Sequence, residues 1–155
     1  MAQMPEFVSA FLSGRRLAVA GVSRDSKQPA NHIYRRLRDA GYEVVATNPG
    51  AGSVEGDPCY PDLASVPGHL DGVVIATPPA ATGDVVRACA DRGVNRVWMH
   101  RSFGQGSVSD EAVAWARAHG IEVIVGGCPM MFCEPVDLAH RCMAWFLGVR
   151  GRIEG

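Results

Sequence analysis

The stretch Leu17-Ala18-Val19-Ala20-Gly21-Val22-Ser23-Arg24-Asp25-Ser26-Lys27-Gln28-Pro29 decides the fold class. Its first four residues form a compact apolar run ending on glycine, the pattern of a strand buried on both faces of a parallel sheet. A polar loop follows. Pro29 then opens a helix whose Ile33 and Leu37 share one face, with Arg35, Arg36 and Arg38 largely on the other and Gly41 as its stop.

Outward from this unit the same alternation continues. Strands are expected at Glu43–Ala46, Val73–Ala76, Arg96–Met99 and Ile121–Val125, and helices at Ala80–Arg92, closed by Gly93, and at Asp110–His119, closed by Gly120. A short amphipathic helix, Glu6–Leu12, precedes the first strand, and Leu138–Leu147 reads as a final helix with Trp145 and Phe146 at its apolar end. Strands alternating with helices require right-handed crossovers, so the expected fold is a Rossmann-like three-layer α/β domain. Its sheet would have five mostly parallel strands, with helices on both faces. The loop from Asn48 to Asp71 is long for a compact domain, and a helical turn is expected near Asp62–Val66.

A chain of 155 residues with 47% hydrophobic content is expected to be a single domain, with its core at 14–129, a C-terminal helical segment at 130–147 and a tail at 148–155. Fifteen Lys plus Arg against sixteen Asp plus Glu give a net charge of −1, which supplies no bulk attraction to nucleic acid or to an anionic membrane. The longest apolar runs fall far short of the roughly 18 residues that span a bilayer. A soluble cytoplasmic protein with reduced thiols and a small-molecule partner is the expectation, with a homodimer through the C-terminal helix as the further one.

In an open parallel sheet, ligands bind beyond the carboxyl ends of the strands. In the first such loop Gly21 permits close backbone approach, Ser23 offers a hydroxyl, the helix start offers N–H groups and Lys27 offers charge, all suited to a phosphate. An ordinary strand-to-helix turn reads the same way. GxGxxG is missing, and the second strand ends in Thr47-Asn48-Pro49 where a ribose-binding acid would sit, which argues against NAD. GxxxxGK[ST] is missing too, which removes the main argument for ATP hydrolysis. Cys128, Cys133, His140 and Cys142 lack metal-site spacing, and no residue reads as catalytic.

Gly21-Val22-Ser23 after the first strand, Asn48-Pro49 after the second, Thr77-Pro78-Pro79 after the third and Cys128-Pro129 after the fifth together resemble the small stand-alone CoA-binding domain proteins. These are similar to the N-terminal domain of the succinyl-CoA synthetase alpha subunit. The resemblance implies coenzyme A as ligand, held by Gly21, Val22, Ser23, Lys27, Asn48, Pro49, Thr77, Pro78 and Pro79. His100 and Arg101, after the fourth strand, are further candidates for the phosphates or an acyl substituent, and Cys128 for a mixed disulfide with the CoA thiol. The implied role is a carrier, sensor or regulatory module. A nucleotide-dependent oxidoreductase, a partner-dependent acyl-CoA ligase component and a structural or protein-interaction domain with a vestigial cleft are the alternatives.

Overall fold

The computed structural model describes residues 4–102, 104–133, 138–149 and 153–155. The opening stretch forms β1 (Arg16–Ala20) and α2 (Pro29–Asp39), preceded by α1 (Glu6–Leu12). β2 (Glu43–Thr47), β3 (Ser53–Val54), β4 (Asp57–Tyr60), β5 (Gly72–Ile75), α3 (Pro79–Asp91), β6 (Arg96–Met99), α4 (Asp110–Ala118), β7 (Glu122–Val125) and α5 (Leu138–Val149) follow. A 3-10 turn, Pro129–Met131, lies between β7 and α5, and residues 134–137 of the segment expected to be helical at 130–147 lie outside the described residues.

The sheet has seven strands in the order β3-β4-β2-β1-β5-β6-β7, which corrects the expected five. The additional pair comes from the long loop: β4 runs parallel to β2 through Ala46–Cys59 and Thr47–Tyr60, and β3 pairs antiparallel with β4, making the sheet mixed. Glu55 and Gly56 join them in a two-residue turn, both at positive φ (53° and 81°), the geometry that matches strand twist in a tight hairpin. Pro58 and Asp57 disguise β4 in the sequence, and Pro58 is tolerated because only the short edge strand β3 lies beyond it. The stretch around Asp62–Val66 makes one turn-type bond, from Val66 N to Leu63 O (3.2 Å), and forms no helix.

Side-chain alternation along the central strands divides the core in two. Leu17, Val19, Val74, Trp98 and Ile124 join α1, α2 and Leu147 of α5 on one face. Ala18, Val73, Ile75, Val97 and Met99 join α3, α4 and Leu70 on the other. Trp98 is fully buried, meets Phe11 edge-on at 5.5 Å and donates its indole N–H to Gly126 O at 2.8 Å. Trp145 of α5 is 66% exposed. Among the described residues no helix is long and apolar enough to cross a membrane, and no cluster of His, Cys, Asp and Glu could hold a metal ion.

Candidate functional site

β1 leads to β2 on one side and β5 leads to β6 and β7 on the other, so crossovers diverge between β1 and β5. A crevice opens where they part, beyond the carboxyl ends of the strands. It holds a cavity of about 940 Å³, toward the upper end of the roughly 300–1,000 Å³ common for small-molecule sites. Gly21 makes the crevice accessible. Its φ is 103°, its N–H donates to Thr47 O at 2.9 Å, and a Cβ there would stand 2.7 Å from Ala76 O.

Ser23 lines the cavity, and the loop carrying it is fixed from below by α2. Asn31, fully buried, accepts from Ser23 N at 2.9 Å and donates to Ser23 O at 2.7 Å, fastening both backbone polar groups of that residue. The same Asn31 amide donates to Glu55 Oε1 at 2.8 Å. Arg35 pairs with Glu55 at 2.7 Å and donates to Ser26 O at 3.1 Å in the same loop. The hydrogen bond from Asn31, then the Arg35 guanidinium, hold the Glu55 carboxyl below the usual carboxylate range. The β3–β4 turn is thereby the outer brace of the first loop.

The other predicted residues take different stations. Asn48 and Pro49 line the cavity, but the Asn48 amide is already engaged, donating to Val22 O at 2.8 Å and accepting from Gly50 N at 2.8 Å. It ties the loops after β1 and β2 together. Val22 itself belongs to the core. Lys27 is exposed and outside the lining residues. Thr77 and Pro78 line the cavity, while Pro79, beside it, fills the first position of α3. Cys128 is buried in the core at the cap of the 3-10 turn and does not line the cleft.

After β6 the chain doubles back sharply. His100 O accepts from Ser107 N at 2.8 Å, and a Cβ on Gly106, whose φ is 59°, would stand 2.5 Å from His100 O. Ser107 Oγ donates to Thr77 O at 2.6 Å, and buried Thr82 donates to Ser107 O at 2.7 Å, binding this loop to β5 and α3. His100 is buried yet lines the cavity, and its Nε2 lies 3.1 Å from Ser102 Oγ. Burial first, then the like charge of His140 on α5, pull its pKa down to about 4, so the imidazole is neutral near pH 7. Arg101 bridges away toward β7, donating its N–H to Gly127 O at 3.0 Å, and does not line the cavity.

Sequence reasoning missed Ser102 and Ser107, and also the apolar walls. Pro61 and Leu63 line one side, Ala81, Val85 and Ala88 of α3 the other. Arg92 holds the former wall by donating to Leu63 O, to Val66 O at 2.6 Å and to Gly68 O at 2.6 Å. Helical spacing of Ala81, Val85 and Ala88 was the available signal for one wall. No pattern marked the other.

The sequence pattern of the CoA binding domain family matches residues 15–134. An ADP-forming acetate–CoA ligase II of Archaeoglobus fulgidus is 29% identical over 117 residues, 70% of this chain but 17% of the ligase. The alpha subunit of the Pyrococcus furiosus ligase II is 25% identical over 126 residues, 76% of this chain and 27% of that subunit. This chain therefore spans only a minor part of those relatives. A hypothetical protein of Pyrococcus horikoshii OT3 superimposes with a TM-score of 0.77 over 88% of this chain and 99% of its own, at 22% identity. The dinucleotide-forming acetyl-coenzyme A synthetase 1 of Ca. Korarchaeum cryptofilum gives 0.63 at 29% identity, over 72% of this chain and 25% of its own. With the family pattern running from the residue before β1 to beyond the 3-10 turn, this chain belongs to the CoA-binding domain family.

Proposed function

We propose that the chain binds coenzyme A, free or acylated, and acts as a non-catalytic carrier, sensor or regulatory module. The observation that carries this reading is the cleft itself: Gly21, Ser23, Asn48, Pro49, Thr77 and Pro78 converge on one cavity at the point where the crossovers diverge. Its length suits an extended ligand. β2 and β6 stand three strand spacings apart, roughly 14 Å, with the first loop toward one end and His100 toward the other.

The ionisable side chains lining the cavity, among the described residues, are Asp62, Asp84 and His100. Asp62 is occupied by the backbone and hydroxyl of Ser65, both at 2.8 Å, and Asp84 stands in solvent beside Arg87. A His100 with a pKa of about 4 is too weak a base to activate Ser102 efficiently at neutral pH. This favours binding without chemistry. The second reading, a component of an acyl-CoA ligase completed by a partner chain, draws support from the longer ligases in which the matching segment is one part.

Isothermal titration of the whole chain with CoA, NAD and ATP tests the proposal. CoA should bind at least tenfold more tightly than either. Equal and negligible heats for all three would overturn it.

A further inference from the structure

We propose that the β6 end of the cleft is an acyl subsite, in which Ser102, oriented by His100, hydrogen-bonds the carbonyl of a short uncharged acyl thioester and from which acyl groups ending in a carboxylate are excluded. This rests on the CoA reading and deepens it. With the nucleotide phosphates at the first loop, the distal arm of a CoA extended across β5 arrives at the loop after β6.

The chemistry at that end is specific. When the His100 Nε2 proton points to Ser102 Oγ, the serine keeps its own hydrogen for an acceptor in the cleft, such as a thioester carbonyl. The backbone that carries His100 is held in place, its N–H bonded to Ile75 O at 2.9 Å and its carbonyl accepting from Ser107 N at 2.8 Å, in a loop that Gly106 lets close without a side chain in the way, and the ring itself is buried. In that tautomer the pair supplies a neutral donor to the cleft.

A carboxylate requires more than that. Moved from water to a partly enclosed site, it needs a cation or several charged hydrogen bonds to offset desolvation. Among the described residues no Lys or Arg lines the cavity. An acetyl or propionyl group meets no such penalty. The apolar faces of Ala81, Val85 and Pro78 lie in the same cavity.

Titration of the full chain with CoA, acetyl-CoA and succinyl-CoA, repeated on Ser102→Ala and on His100→Gln, is the test. Acetyl-CoA should bind at least as tightly as CoA and succinyl-CoA at least tenfold more weakly. In Ser102→Ala the ratio of acetyl-CoA to CoA affinity should fall, while unchanged thermal melting of the unliganded variant shows that it folds. His100→Gln, which retains a neutral donor, should keep the discrimination against succinyl-CoA. CoA binding with equal affinities for the two thioesters, or an unaltered ratio in Ser102→Ala, would overturn the subsite alone. No heat with CoA itself would overturn the reading beneath it.

Discussion

Asn31 and Glu55, far apart in the chain, meet at 2.8 Å beneath the first ligand loop, and through that contact a β-hairpin turn fixes the conformation of Ser23. Replacing Asn31 with Ala would leave the backbone N–H and carbonyl of half-buried Ser23 without these partners, a loss of about 1–3 kcal/mol. The Asn31→Ala protein should melt several degrees lower and bind CoA at least tenfold more weakly. Glu55→Gln, which keeps an acceptor for Asn31 but not the charge facing Arg35, should lose less of both. Thermal melts and titration calorimetry separate these outcomes, and equal losses in the two variants would contradict the bracing arrangement.

Gly21 gives a second, sharper prediction. A methyl group there would press on the Ala76 carbonyl at 2.7 Å while the backbone sits at a φ of 103°, and strain of this kind costs on the order of 1–3 kcal/mol. Gly21→Ala should lower the urea midpoint and weaken CoA binding together, because Ala76 and Thr77 form the opposite lip of the cleft. Gly41→Ala is the control, since its Cβ would meet nothing within 4 Å although its φ is 97°. It should lower stability and leave affinity within about twofold.

The alternating pattern was legible wherever strands were apolar on both faces, and three of the four strand-end motifs fall on the cavity, the exception being Cys128-Pro129. What escaped was β3 and β4. A strand reading Asp-Pro-Cys-Tyr after Glu-Gly lacks both alternation and the Asn-Gly signal of a tight turn. Its pairing is set by the edge of β2, a tertiary partner that local propensity does not contain. Glu55 and Asn31 escaped with it, since their contact exists only once the hairpin folds over α2. Lys27 shows the converse: a residue with suitable chemistry at a suitable position in the chain, whose exposed place only the fold reveals.

His100 makes stability pH-dependent. Its pKa in the fold, about 4, lies below the ordinary value of 6.5, so on acidification the unfolded chain takes up the proton first and the native state loses stability across that window. The loss attributable to this residue amounts to at most about 3 kcal/mol. Urea midpoints of the native sequence should fall between pH 6.5 and 4.5 more steeply than those of His100→Gln. Parallel curves would show that His100 titrates normally.

Asp71 acts in the same direction at the opposite end of the sheet. Its carboxylate accepts the backbone N–H groups of Arg16 (2.9 Å) and Arg15 (2.8 Å) at the start of β1, and these bonds hold its pKa below the ordinary value of 3.8. The stability it contributes is present above that value and is lost as pH falls through the lower folded pKa. Asp71→Asn should therefore be destabilised at pH 7, with its deficit shrinking toward pH 2, while CoA affinity at pH 7 changes little because the site lies at the other edge of the strands. Urea titrations at several pH values, paired with calorimetry, test both statements.

The position of Lys27 sets a final expectation. If cations held the ligand phosphates at close quarters, reversing one would cost orders of magnitude, but Lys27 is exposed and the lining residues include no Lys or Arg among those described. Its influence on a bound phosphate is then long-range and screened over roughly 8–10 Å at 0.1–0.15 M salt. Lys27→Glu should weaken CoA binding only several-fold at low ionic strength, and the difference from the native sequence should nearly vanish at about 0.5 M salt. Ser23→Ala should lose affinity at both salt concentrations, because a hydroxyl lining the cavity acts by contact. A Lys27→Glu defect that survives high salt would mean that the lysine closes onto the ligand in the complex.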